Sequence, residues 1–226
     1  MAKKKTSAST KSKRSPKLLI VIIAALAVVM AAILFVGNLE PSASGDIDLE
    51  GQPVKGEENA VSIVEFGDYK CPACKNFHES MVPMIEQELV ETGDASFTYM
   101  NYPFLNVDSS RAALYAETVY GELGNDTFWE FHDRLFTEQD PEAESQDFFT
   151  EERLNSILEE IVSADEASQV SEAFQAEEYE DALETDTDYV SELGVQSTPT
   201  LFVNGEQFEG GSFEELRDMV EEAANE

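Results

Sequence analysis

Cys71-Pro72-Ala73-Cys74 constrains this chain more than any other stretch, because it holds the only two cysteines in 226 residues. An apolar run from Ala60 to Phe66 precedes it and reads as a strand. Phe77, Met81, Met84, Ile85 and Leu89 follow at three- and four-residue intervals, which predicts a helix over 72–91. Pro72 suits the first turn of that helix, where a missing N–H leaves no bond unmade. Pro83 falls inside the pattern and predicts a kink. The spacing puts the Cys71 sulfur at a helix N-terminus, where free backbone N–H groups and the helix dipole stabilise a thiolate. Cys74, one turn further in, is close enough to close a small disulfide ring. This arrangement serves a reversible dithiol/disulfide pair.

Other uses of a CxxC pair fit less well. Zinc takes four ligands and no second CxxC exists, so only His78 and His132 could complete such a site. Attachment of c-type haem needs His directly after the second cysteine, and position 75 is Lys. A structural staple over so short a loop restricts the unfolded chain only weakly.

The first 17 residues carry seven cations, and Leu18–Val36 then runs 19 residues without a charge. At about 1.5 Å per residue that run nearly spans a hydrocarbon core of about 30 Å. Basic flanks stay on the cytoplasmic side, so the rest of the chain is expected outside. The segment reads as a retained single-pass anchor. The rival is a cleaved signal peptide, for which Ser42-Ala43-Ser44 offers small residues, though signal cores are usually about 7–15 residues long. Either way the cysteines face a compartment where disulfides persist.

Charge divides the chain. Its formal net charge is −33, with 47 acidic side chains, none of them before Glu40. Nucleic-acid binding is excluded by that balance. A self-repelling, solvated surface is the plain reading, and adaptation to high salt would account for it. A divalent cation such as calcium is conceivable among the carboxylates, but no DxDxDG-type loop assigns it to residues.

Residues 37–52 read as a linker, followed by one compact domain. Ala95–Asn101 alternates and is rich in β-formers, so strand, helix and strand imply a parallel pair with a right-handed crossover. Ser109–Leu123, Thr127–Phe136, Glu151–Val162 and Asp165–Leu193 all carry helical spacing. They form a helical block whose aromatic residues Phe128, Trp129, Phe131 and Phe136 read as core. Thr200–Val203 and Glu206–Glu209 flank Asn204-Gly205, a two-residue hairpin signal. Ser212 to Glu215 is a capping box opening a last helix to about Ala224.

A β-α-β half carrying CxxC, a helical insertion, and a ββα half entered through Thr198-Pro199 together resemble the DsbA-like branch of the thioredoxin superfamily, in its membrane-anchored Gram-positive form. The resemblance implies an α/β thioredoxin fold with an inserted helical domain, preceded by one N-terminal transmembrane helix. Its bounds would be a basic tail at 1–17, the anchor at 18–36, the linker at 37–52, the thioredoxin-like domain at 53–104 and 194–226, and the insertion at 105–193. It further implies that Pro199 is a cis-proline facing the disulfide and that Thr198 beside it pairs with an extended substrate. Glu65 would be the acid beneath the site that relays a proton for Cys74; on its own it reads equally as a strand carboxylate reaching solvent. Pro72 and Ala73 would tune the potential, Lys70 and Asp68 would bias the thiolate in opposite directions, and His78 reads as a surface or packing residue rather than a catalyst. The implied activity is introduction of disulfides into reduced exported proteins, with a quinone-linked membrane protein as reoxidant and no organic cofactor. A reductase or isomerase on the same frame, or a non-enzymatic thioredoxin-like binding module, are the alternatives.

Overall fold

Two seven-residue strands, buried on both faces, set the frame of the protein, which the computed structural model describes at residues 44–57 and 60–225. β2 (Val61–Gly67) and β3 (Ala95–Asn101) run parallel, in a register that pairs Ile63 with Phe97 and Glu65 with Tyr99. β1 (Val54–Lys55) joins the outer edge of β3, and β4 (Thr200–Val203) joins β2, both antiparallel. β5 (Glu206–Gln207) closes the hairpin, giving the order β1-β3-β2-β4-β5. Asn204 and Gly205 both take positive φ, 45° and 79°, as the tight hairpin turn requires. β5 is shorter than its sequence pattern, although Phe208 N–H still bonds Leu201 carbonyl at 2.8 Å.

The helix expected over 72–91 is broken in three. α1 spans Pro72–Ser80, α2 Val82–Ile85, and a π-helical turn Glu86–Val90 ends the run. Pro83 has no N–H to give and crowds the preceding turn, so the chain restarts at Val82. The insertion holds α3 (Val107–Leu123), α4 (Asn125–Glu138), a short 3-10 turn (Pro141–Ala143), α5 (Glu151–Glu159), α6 (Ala164–Gln175) and α7 (Glu180–Glu192). The pattern read as one helix over 165–193 is therefore two. Glu177 takes φ 56°, and Glu177 and Glu178 N–H bond the Phe174 and Ala173 carbonyls. That is a Schellman closure built without glycine. Ser212 and Glu215 form a reciprocal capping box at the head of α8 (Phe213–Ala223).

Strand alternation splits the core. Ile63, Phe97, Tyr99, Leu201 and Val203 face one side, with Cys71, Cys74 and the aromatic residues of α4. Val64, Phe66, Met100 and Phe202 face the other, against Val190, Leu193 and Val195. Glu65 shares parity with Ile63, so the register turns it toward the cysteine side.

The segment read as a linker is partly docked. Gly45 N–H bonds Gly205 carbonyl at 2.9 Å, and Ile47 and Leu49 pack on the second core. Alternating Ile47 and Leu49 give it an apolar edge that its acids obscured. The apolar stretch 18–36 and the tail before it lie outside the described residues. Among the described residues no helix is long and apolar enough to cross a membrane.

Candidate active site

Cys71 is the N-cap residue of α1, in extended conformation, with Pro72 at the first helical position. Backbone N–H groups at a helix start have no intrahelical partner. Here those of Ala73 and Cys74 favour the Cys71 thiolate, but the largest contribution is a hydrogen bond from the Cys74 thiol. Burial opposes them and loses, so the Cys71 pKa is lowered to about 6. Cys74 is its opposite. Fully buried, it is pushed far above the ordinary thiol range, first by burial, then by its bond to Cys71 and by the nearby Glu65 and Cys71 charges. Both cysteines are free thiols in this structure. One sulfur favours the anion and the other holds its proton, which is the division of labour that thiol–disulfide exchange needs.

Thr198 lies against this pair. The Thr198–Pro199 bond is cis, and the Cys71 thiol donates to the Thr198 carbonyl at 3.6 Å. The Thr198 hydroxyl has no other hydrogen-bond partner and favours the anion on either sulfur.

Glu65 does not reach solvent. It is 1% exposed, its Oε1 has no hydrogen-bond partner, and its pKa is raised to about 8, first by burial and then by the Cys71 charge. A neutral carboxylic acid therefore sits under the dithiol at neutral pH.

Lys70 and Asp68, read as biasing the thiolate, are engaged elsewhere. Lys70 Nζ donates to Asp108 Oδ2 at 2.8 Å and to the Ala143 and Gln146 carbonyls at 2.8 and 2.6 Å. Asp68 accepts from the backbone N–H groups of Lys70, Phe104 and Leu105 at 2.8–3.3 Å. Together they tie the 68–71 turn to β3's exit and to the insertion. Gln139, from the end of α4, completes the tie by donating to the Tyr69 and Cys71 carbonyls at 2.5 and 3.1 Å. Asp108 and Gln139 escaped the sequence reading because nothing in their local pattern sets them apart from a solvated helix face. Gly67, where β2 gives way to this turn, leaves room for the Tyr99 ring, whose Cε2 would stand 2.4 Å from an added Cβ.

The comparisons agree with this geometry. The family model described as Thioredoxin matches residues 48–222. Disulfide bond formation protein D of Bacillus subtilis is 34% identical over 180 residues, covering 79% of each chain. A probable disulfide bond formation protein D of Bacillus cereus is 30% identical over 151 residues, 66% of this chain and 68% of its own. Among solved structures, oxidised BdbD from Bacillus subtilis superposes with a TM-score of 0.75 at 33% identity, over 82% of this chain and 99% of its own. DsbA of Chlamydia trachomatis, at 22% identity and a TM-score of 0.68, shares the fold. With a dithiol split between a stabilised anion and a guarded proton, on a frame these relatives share, the chain belongs to the thioredoxin family as a DsbA-like thiol–disulfide oxidoreductase.

Proposed function

We propose that this oxidoreductase works outside the cytoplasm as a disulfide donor to reduced exported proteins. The observation that carries the reading is the opposed pull on the two sulfurs: an anion favoured at Cys71, a proton retained at Cys74. A stabilised Cys71 thiolate favours the reduced form, and a pair stable when reduced is oxidising.

The exchange runs in two balanced steps. A substrate thiolate attacks Cys71 Sγ, the Cys71–Cys74 bond breaks, and Cys74 leaves and takes a proton from Glu65. A second substrate thiolate then attacks the substrate sulfur of the mixed disulfide, and Cys71 leaves as its stabilised thiolate. Two electrons pass from substrate to protein, and a membrane quinone-linked partner would remove them. An extended peptide would lie along the backbone at Thr198 and Pro199. The exposed side chains of Phe104 and Val107, beside the Asp68-held turn, add apolar surface suited to unfolded chains. The anchor at 18–36 would hold the domain at the membrane face.

Equilibration against glutathione tests the direction. A potential near about −120 mV supports donation, whereas one near about −270 mV would make the protein a tethered reductase.

A calcium-type cation also belongs to this reading. Gln52, Asn101, Glu117 and Asp186 form a buried oxygen-rich cluster in which the Gln52 Oε1 and Asn101 Oδ1 atoms lack partners. The amide nitrogens of Gln52 and Asn101 donate to Asp186 at 3.0 Å, and that of Asn101 also to Glu117 at 2.6 Å. Rotating both amides would offer their oxygens to a hard cation, which takes oxygen ligands. A calcium titration that leaves the melting temperature unmoved would remove this part.

A further inference from the structure

A second cluster of ligating side chains takes no part in the exchange. His78 on α1 and His132 and Asp133 on α4 bring one ligand atom each to within 4.8 Å of one another. The cluster bridges the helix that carries the cysteines and the inserted block. His132 is 1% exposed, walled by Tyr69, Tyr99, Phe128, Trp129 and Phe136. Its Nδ1 pairs with the Tyr69 hydroxyl at 3.1 Å, while its Nε2 is buried without a partner. His78 repeats the pattern: its Nδ1 is buried and unpaired, and its Nε2 lies 3.7 Å from Asp133 Oδ1. An unmet buried polar atom is costly, so native proteins rarely keep one. Two on rings whose centroids stand 5.3 Å apart suggest one shared partner.

We propose that His78, His132 and Asp133 bind one divalent transition-metal ion of the zinc type, with solvent in the remaining position. Two imidazoles and a carboxylate are a donor set zinc accepts in open sites, and imidazole selects against calcium and magnesium. Zinc–ligand bonds of about 2.0–2.1 Å put tetrahedral donors about 3.4 Å apart. The three ligands must therefore close by up to about 1.4 Å, which calls for rotation of His78 and the half-exposed Asp133. Tyr69 is the outer partner. With Nδ1–H of His132 donating to its hydroxyl, the lone pair is left on Nε2. Lys55, 3.7 Å from Asp133 Oδ1, competes for that carboxylate but keeps its closer bond to Glu86. The ion would clip the inserted block to the helix that carries the redox pair, one turn beyond Cys74.

The test titrates the full chain with its disulfide closed, so that no thiolate can ligate. Zinc is followed by calorimetry and cobalt(II) by its visible bands. One equivalent should bind, with four-coordinate cobalt bands and no sulfur charge transfer. His78→Gln and Asp133→Asn, the two ligands nearest solvent, should each weaken binding by at least about 10-fold. His132→Phe, a ring of similar size for the aromatic wall, should abolish it. Absence of saturable binding would overturn the proposal. So would binding unchanged in His78→Gln and Asp133→Asn with the fold verified by circular dichroism, since the ion would then sit on other carboxylates.

Discussion

Replacing Cys74 separates its two roles, because its thiol is both the sulfur that closes the disulfide and the largest stabiliser of the Cys71 anion. Cys74→Ala removes the donor, whereas Cys74→Ser keeps an O–H at nearly the same place. A hydrogen bond to a charged group is worth about 1.5–3 kcal/mol, and one pKa unit corresponds to about 1.4 kcal/mol. The alanine variant should therefore raise the Cys71 pKa by about 1–2 units, from the present value of about 6. At pH 7 the thiolate fraction would fall from about nine-tenths to between a half and a tenth. Serine should hold the pKa within about half a unit of the native dithiol. Thiolate absorbance against pH, checked by iodoacetamide alkylation rates, reads this directly. Neither variant can close the disulfide, so exchange does not blur the titration. If alanine and serine titrate together, the Cys74 bond is not what lowers Cys71, and the stabilisation must come from the helix start and Thr198 alone.

Two other perturbations test neighbouring parts of the site. The Glu65 pKa is raised to about 8 from 4.5, so the folded state holds a proton that the unfolded chain loses, and stability falls as pH rises from 4.5 to 8. Glu65→Gln should thus stabilise the protein by about 2–4 kcal/mol at pH 7–8 and by little at pH 4.5, in denaturant titrations, while slowing formation of the mixed disulfide, the step in which Cys74 leaves. An equal gain at both pH values would show that Glu65 is not held neutral. Asp108→Ala strands the Lys70 ammonium among carbonyls and should cost about 3–5 kcal/mol, with the reduced and oxidised forms both affected. A loss below about 1 kcal/mol would mean that the 68–71 turn does not depend on this tie.

The frame was legible because its signals are local. Strand alternation, the Asn204-Gly205 turn and the Ser212 capping box each act within a few residues, and the structure keeps all three. What escaped depends on distant partners. β1 is two residues long and exists only because β3 offers an open edge to it. The Glu177 closure uses a residue with no turn preference, held by bonds back to Phe174 and Ala173. The acidic composition predicts a solvated surface, yet Glu117 and Asp186 are buried against each other and Asn101. Lys70 is two residues from Asp68 and one from Cys71, so proximity in sequence suggested electrostatic control of the thiolate. Its ammonium instead reaches the carbonyls of Ala143 and Gln146. The cysteine pair itself needed no tertiary partner to be found, but the burial that divides its two sulfurs did.

That division has a consequence for a chain carrying 47 acidic side chains. A thiolate held by a nearby cation would weaken as salt screened the pair, since the Debye length falls from about 10 Å at 0.1 M to about 3 Å at 1 M. The Cys71 anion is favoured by neutral donors: the Cys74 thiol, the Thr198 hydroxyl and two backbone N–H groups. Lys70, the residue before it, is committed to Asp108. Contact dipoles of this kind are nearly blind to ionic strength. The Cys71 pKa should therefore move by less than about half a unit between 0.1 and 1 M potassium chloride. A rise of a full unit would reveal a cation within reach of the sulfur. A fall of that size would show that the acidic surface, and not the local site, sets the poise of the thiol.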